Sequence, residues 1–118
     1  MMRGKYDAAF LLPLGAEKYL EEDGWEFGSN DFLPKQVVPK LADMLNLTYS
    51  KTSLDISYYV NDFIQVSFFC DGSEDNIKHI YFQVYEGKLG LLKQAFFDSS
   101  LGDFSELFIP KERSSESN

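Results

Sequence analysis

The sequence predicts an α+β fold in which an antiparallel sheet packs against helices. Three segments, at residues 54–60, 64–70 and 78–85, alternate apolar and polar residues with the period of two typical of half-buried strands. Two other segments, at about 31–47 and 89–97, repeat their apolar residues at helical spacing. Short loops connect the three strand segments, so we expect them to form a three-strand meander.

The first thirty residues predict a strand and a short helix. Tyr6–Leu12 is an apolar run that ends at Pro13, as an interior strand would. Ala16–Asp23 is a helix candidate because Gly24, a common residue just beyond a helix C-terminus, follows it. We expect residues 25–30 to be irregular, since they include several turn-forming residues.

The main helix is expected to begin at a cap residue, Asn30 or Asp31, and to run to about Leu47. Its apolar positions are Leu33, Val37, Leu41, Met44 and Leu45. Pro39 does not suit a helix interior because it has no N–H to donate. The helix is therefore either kinked at Pro39 or begins only at Val38.

Loop lengths set the expected pairing within the meander. The loops are Asn61–Phe63 and Asp71–Ile77. The expected pairs are Val60 with Ile64, Tyr58 with Val66, Ile56 with Phe68, Phe68 with Ile80, and Val66 with Phe82. This register keeps the large aliphatic residues on one face, which a strand with one buried face requires. We expect the main helix to cover that face, on Ile56, Val66, Phe68 and Phe82.

The C-terminal part predicts one more helix. After a turn at Glu86-Gly87, residues 89–97 have helical spacing, and residues 103–108 are expected to add one helical turn before Pro110. We expect one domain over residues 1–110. The polar tail, residues 111–118, is expected to be disordered.

Net charge restricts the class of partner. The formal charge is −8 and the pI is about 4.5. The net negative charge repels phosphate backbones, so we expect no direct binding to nucleic acid. It attracts cations, so we expect a basic protein partner, with the chain itself a monomer or a homodimer; the alternative is that the acidity only keeps the protein soluble.

The single cysteine, Cys70, excludes an internal disulfide and indicates a reducing compartment. The apolar run at residues 8–12 is too short for a signal peptide or a membrane span. We therefore expect a cytoplasmic protein without membrane contact.

Chemical motifs are weak in this sequence. Asp71–Asn76 begins like a calcium loop, but Asn76 replaces the required glycine and Phe82 replaces the bidentate glutamate. Cys70 and His79, the only residues of their kinds, fall on opposite faces of the expected sheet. One histidine and one cysteine are also too few for a typical zinc site. We expect no cofactor, no metal and no enzymatic activity.

Two surfaces remain as binding candidates. One is the sheet face opposite the helix, where tyrosines offer contact area at low entropic cost. It comprises Ser57, Tyr59, Gln65, Ser67, Phe69, His79, Tyr81, Gln83 and Tyr85. The alternative is that a helix of the chain covers this face and the tyrosine hydroxyls reach only its rim.

The second surface is the acidic segment Glu21-Glu22-Asp23, which is followed by Trp25, the only tryptophan, and by Glu26. A tryptophan among carboxylates is a suitable anchor for a basic partner, although it could instead lie in the core. Taken together, the predicted partner-binding residues are Glu21, Glu22, Asp23, Trp25, Tyr59, Phe69, Asp71, Glu74, Asp75, Tyr81 and Tyr85.

In size, acidity and aromatic content the chain resembles the immunity proteins of bacterial toxin systems. The resemblance implies a protein that neutralises a cationic toxin domain, often a nuclease, by covering its active site. Carboxylates would imitate nucleic-acid phosphates and tyrosines would supply packing. Two alternatives remain open: a small ligand-binding or enzymatic domain with a pocket between sheet and helix, and a homodimeric structural subunit.

Overall fold

The computed structural model describes residues 6–73 and 75–110 of the chain, which have an α+β architecture. The strands are β1 (Tyr6–Pro13), β2 (Glu17–Glu21), β3 (Gly24–Gly28), β4 (Thr48–Ser53), β5 (Ile56–Val60), β6 (Ile64–Cys70), β7 (Ile77–Tyr85) and β8 (Ser105–Phe108). The helices are α1 (Val37–Leu45) and α2 (Leu89–Phe97), with a short 3-10 helix at Leu101–Asp103. Glu74 and the predicted tail, 111–118, lie outside the described residues.

Six strands form one antiparallel sheet in the order β4-β5-β6-β7-β1-β8, and β2 and β3 form a separate hairpin. The predicted meander is therefore confirmed as β5-β6-β7. The predicted interior strand is also confirmed, because β1 lies between β7 and β8.

One face of the sheet, here called the core face, is buried under the two helices. Buried residues of β1, β6 and β7 meet buried residues of α1 and α2 there. They include Ala9, Leu11, Val37, Leu41, Leu45, Ile64, Val66, Phe68, Ile80, Phe82, Val84, Leu89 and Leu92. The predicted pairs Phe68 with Ile80 and Val66 with Phe82 are confirmed.

The predicted pairing of β5 with β6 is wrong by one residue, because Asn61 builds the turn between them. Its side-chain oxygen accepts hydrogen bonds from the N–H groups of Phe63 and Ile64, and its own N–H donates to the Ile64 carbonyl at 3.0 Å. With Asn61 bonded to Ile64, the next pair is Val60 with Gln65. This shift reverses the faces of β5.

The shift moves the residues of β5 to faces other than those predicted. Ile56 pairs with Phe69 rather than Phe68, so it lies opposite the core face. Tyr59 pairs with Val66 and lies on the core side, with its ring centroid 5.3 Å from that of Phe68. Ser57, paired with Phe68, moves to the core side with Tyr59.

The helix predicted at Ala16–Asp23 is wrong, as is the irregular segment at 25–30. The two segments form the hairpin β2–β3, in which Glu21 pairs with Gly24 across the turn. Isolated helices of this length are marginal in water, so tertiary packing decides their state. Here the decisive packing comes from Trp25 and Phe27, which lie two positions apart and therefore on one side of β3.

Both predicted helices exist, and the first begins close to the alternative start at Val38 rather than at Asn30 or Asp31. The helix α1 begins at Val37, which places Pro39 in the first turn, where the missing N–H has no helical partner to lose. Leu33 precedes α1 and bonds through its N–H to the Ile77 carbonyl at 2.8 Å. The helix α2 has the predicted bounds, 89–97. Neither α1 nor α2 is long and apolar enough to cross a bilayer.

Two edge strands were not predicted. All six residues of β4 are exposed, so this strand lacks the alternation that identifies a half-buried strand. In the segment predicted as a helical turn, 103–108, only Asp103 belongs to the 3-10 helix. Residues 105–108 form β8, which pairs with β1. Pairing of Phe10 with Phe108 places two aromatic rings side by side on the sheet.

Candidate functional site

The sheet face opposite the helices, here called the outer face, carries a group of aromatic rings on neighbouring strands. Phe10 of β1 pairs with Tyr81 of β7 and with Phe108 of β8. Phe69 of β6 pairs with His79 of β7. The ring centroids of Phe10 and Tyr81 are 5.1 Å apart and nearly parallel, at 27°.

The hairpin β2–β3 packs onto part of this outer face. Phe27 lies 4.9 Å from Phe10 and 5.2 Å from His79 between ring centroids, and Trp25 contacts Phe108 edge-on at 4.9 Å. An ion pair joins the same elements, since the Lys18 ammonium lies 3.1 Å from the Glu106 carboxylate. A hairpin, rather than the helix considered as the alternative, therefore covers part of this face.

Between the hairpin and the exposed part of the outer face lies a cleft of about 1020 Å³. The residues that line it are Ala8, Phe10, Pro13, Ala16, Leu20, Asp23, Gly24, Trp25, Glu26, Phe27, Ser29, Asp31, Phe32, Phe69, Asp71, Lys78, His79, Tyr81 and Pro110. The pocket is thus between sheet and hairpin, not between sheet and helix.

The floor and rim of the cleft differ in chemistry. Most of its aromatic side chains are half-buried, with Phe32 more exposed at 44%. Its four carboxylates are all exposed; they are Asp23, Glu26, Asp31 and Asp71. Among the described residues that line the cleft, the only cation is Lys78. The cleft is therefore an aromatic floor bordered by excess negative charge.

The rim carboxylates make no ion pair within the described part of the chain. The ion pairs between described residues are Lys18 with Glu106 and Lys35 with Asp75, at 3.1 and 3.4 Å. Neither pair includes a rim carboxylate. No described lysine or arginine is therefore ion-paired with these carboxylates, and Lys78 offsets only part of their negative charge.

His79 forms part of the floor as a neutral imidazole. Burial, and to a smaller extent the neighbouring Lys78 ammonium, together lower its pKa to about 4. Phe69 stacks on the imidazole and Phe27 meets it edge-on. A group with this pKa carries no charge at neutral pH, so the floor is uncharged.

Tyr81 is the other titratable group of the floor. Burial raises its pKa, and Tyr6 raises it further, whereas a hydrogen bond with Gln83 acts in the opposite direction. The phenol thus stays protonated at neutral pH and can donate or accept a hydrogen bond.

The structure brings together five of the predicted partner-binding residues. Asp23, Trp25, Phe69, Asp71 and Tyr81 all line the cleft. They come from the hairpin, from β6 and its following loop, and from β7.

The other predicted residues lie elsewhere. Tyr59 lies on the core side, so its assignment to the outer face is wrong. Glu21 and Glu22 are exposed on the hairpin, outside the cleft. Asp75 pairs with Lys35, and Tyr85 is exposed at the end of β7, where it pairs with Tyr6. Glu74 lies outside the described residues.

Several residues that line the cleft are not among the predicted partner-binding residues. Phe10 belongs to the predicted interior strand, and Phe27 and Phe32 fall in segments predicted to be irregular and helical, respectively. The alternation of Trp25 and Phe27 around Glu26 was the available signal, since it has the period of a strand.

Cys70 and His79, considered as a possible catalytic pair, lie on opposite sides of the sheet. Cys70 packs against the core, while His79 lies on the outer face. Within residues 6–73 and 75–110, no three side chains of His, Cys, Asp or Glu are grouped as a metal site requires.

No protein-family model matches the chain, and no curated protein and no solved structure matches it significantly.

Proposed function

We propose that this protein is an acidic protein-binding module of the immunity type, which neutralises a cationic toxin domain, such as a nuclease, by covering its active site. The observation that supports the proposal best is the cleft, where a half-buried aromatic floor is bordered by exposed carboxylates. The proposal places the protein in the cytoplasm, with the toxin domain as its partner.

The aromatic floor supports binding to a protein surface. Aromatic side chains supply large contact areas with few rotatable bonds, and they are enriched among the residues that dominate binding energy. Trp25 and Tyr81 are half-buried by packing within the chain, so they need little further ordering when a partner arrives.

The charge supports a basic partner. A net charge of −8 accelerates encounter with a cation, and carboxylates at the cleft rim add a local attraction. A nuclease active site binds phosphates, so grouped carboxylates such as Asp23 and Asp71 can occupy the same cationic surface.

The two alternatives receive less support. A homodimer formed through the cleft would bring two acidic rims together, which like charges oppose. The open edge strand β4 also carries Lys51 and a bulge between Tyr49 and Lys51, two features that disfavour edge-to-edge pairing. The volume of the cleft would admit a small molecule, but its carboxylates lie exposed at the rim rather than converging inside.

Site-specific photocrosslinking in the cells that encode the chain tests the proposal. A photoreactive phenylalanine analogue replaces Phe32 in the cleft or, as a matched control, Phe97, which is 84% exposed on α2. We expect the Phe32 position, but not the Phe97 position, to capture one basic protein. That protein, expressed alone, should arrest growth, and co-expression of this chain should restore growth.

A captured protein that is acidic, or whose toxicity this chain does not relieve, would contradict the proposed function. Capture only from Phe97 would also contradict it, because the partner would then bind the helical side of the molecule.

A further inference from the structure

We propose that the cleft receives an extended, arginine-bearing segment of the partner, with an arginine guanidinium over the aromatic floor and within reach of the rim carboxylates. The inference rests on the proposed function and specifies the part of the partner that is recognised. It follows from the shape, the charge and the ring chemistry of the cleft.

The volume of the cleft indicates a chain segment rather than a single side chain. At about 1020 Å³ it lies at the upper end of the roughly 300–1,000 Å³ typical of pockets for drug-sized ligands. The lining residues come from the hairpin, from residues 29–32 and from β6 and β7, so the space is bounded on several sides. Several residues in an extended conformation can occupy such a space.

The charges around the cleft select a cation. The described lining residues include four carboxylates and one ammonium, and no described residue forms an ion pair with those carboxylates. An arriving guanidinium would therefore gain partners without displacing an existing ion pair of the described chain. The neutral state of His79 keeps a positive charge out of the floor, where it would repel such a ligand.

The rings favour arginine over lysine. A guanidinium is planar and weakly hydrated, so it stacks on aromatic faces and donates two parallel hydrogen bonds to a carboxylate. A lysine ammonium is strongly hydrated and loses more on entering a partly enclosed aromatic space. Phe69, Tyr81 and Trp25 supply the faces, and Asp23 and Asp71 supply carboxylates at the same cleft.

Trp25 makes the test direct, because it is the only tryptophan of the chain and it lines the cleft. Its fluorescence and its single indole N–H resonance report occupancy. The probes are acetyl-Gly-Arg-Gly-Arg-Gly-amide, the same peptide with lysine or glutamine in place of arginine, and N-acetylarginine amide. The full chain is titrated with each probe at low salt.

We expect the arginine peptide to shift the Trp25 signals and to bind about fivefold more tightly than the lysine peptide. The glutamine peptide should leave the signals unchanged. N-acetylarginine amide should bind more weakly than the peptide, since it fills less of the cleft. Equal affinity of this single residue and the peptide would contradict an extended segment, and equal affinity of the arginine and lysine peptides would contradict the selection of arginine.

Variants separate local from general charge effects. Asp23→Asn with Asp71→Asn should weaken the arginine peptide about tenfold, whereas Asp43→Asn with Asp62→Asn, an equal charge change at exposed sites outside the cleft, should change it less than twofold. Lys78→Gln should strengthen binding, because it removes the only cation among the described residues that line the cleft. Equal effects of the two double variants would overturn the inference.

The outcomes for the inference and for the proposed function are distinct. The arginine peptide could leave the Trp25 signals unchanged while photocrosslinking and growth rescue identify a basic toxin. In that case the inference of an arginine-bearing segment is wrong and the proposed function stands. If the peptide binds in the cleft but no toxic partner is neutralised, the arginine site stands and the proposed function is wrong.

Discussion

The imidazole of His79 lies stacked on the ring of Phe69, with centroids 4.6 Å apart and an interplanar angle of 17°. Phe27, from the hairpin β2–β3, meets the same imidazole edge-on at 5.2 Å. The histidine thus joins the sheet to the hairpin that forms one wall of the cleft. Its burial between two apolar rings favours the neutral form, which is the cause of its low pKa.

Replacing His79 with phenylalanine should make the free energy of unfolding less dependent on pH between about pH 4 and about pH 6.5. The pKa of His79 is about 4 in the folded chain and about 6.5 when unfolded, so the unfolded state binds more protons between these values. Stability from the neutral imidazole is fully present above about pH 6.5 and is lost as the pH falls to about 4. The loss amounts to roughly 3 kcal/mol at most.

Urea unfolding of both proteins from pH 7 to pH 4 measures this effect. The acidic groups of the cleft and Lys78 are present in both proteins, so their titration largely cancels in the difference. A difference in unfolding free energy that stays constant across this range would show that His79 is not held neutral by the fold.

Phe68→Ala should destabilise the fold by about 3–5 kcal/mol, the usual penalty for truncating a buried phenylalanine. Phe68 is 1% exposed on the core face. Leu54→Ala is the matched control, because Leu54 is 93% exposed and its truncation should change stability by less than about 0.5 kcal/mol. Similar urea midpoints for the two variants would contradict the assignment of the core face.

Phe27→Ala should release the hairpin without unfolding the sheet. Phe27 contacts Phe10, His79 and Phe108, and losing this burial should cost roughly 2 kcal/mol of hairpin docking. Amide exchange in β2 and β3 should then accelerate about thirtyfold, while exchange in β6 stays unchanged. Tyr19→Ala, at a position 45% exposed on the hairpin, should leave both unchanged. Unchanged exchange in the Phe27 variant would mean that Phe27 does not hold the hairpin.

Tyr81→Ala and Tyr59→Ala should act on different properties, although the sequence predicts one role for both. Tyr81 lines the cleft, so its truncation should accelerate dissociation of the basic partner by a factor that corresponds to about 2 kcal/mol. Tyr59 packs on Phe68, so its truncation should lower the unfolding free energy and leave the dissociation rate unchanged. Surface plasmon resonance and urea unfolding separate the two effects, and a reversed assignment would contradict the observed register.

Alternation within the central strands is enough to predict the meander, because their two faces differ in polarity. The pairing of β5 with β6 depends instead on one side chain, Asn61, whose hydrogen bonds to the turn are not visible in a polarity pattern. The hairpin β2–β3 is also not predicted from the sequence, since its stability comes from contacts of Trp25 and Phe27 with strands that are distant in sequence. The aromatic residues that the sheet contributes to the cleft, Phe69, His79 and Tyr81, were therefore predictable, while the fold of the hairpin that forms its wall was not.

The salt dependence of association tests the central claim, that an acidic surface around the cleft recruits a cationic protein. The rate constant for binding the partner captured by crosslinking is measured from about 0.01 M to about 0.15 M ionic strength, over which the Debye length falls from about 30 Å to about 8 Å. We expect association to slow markedly with salt, and the variant with Glu21, Glu22 and Asp23 changed to lysine to associate more slowly at low salt. An association rate that changes neither with salt nor with these substitutions would contradict the claim.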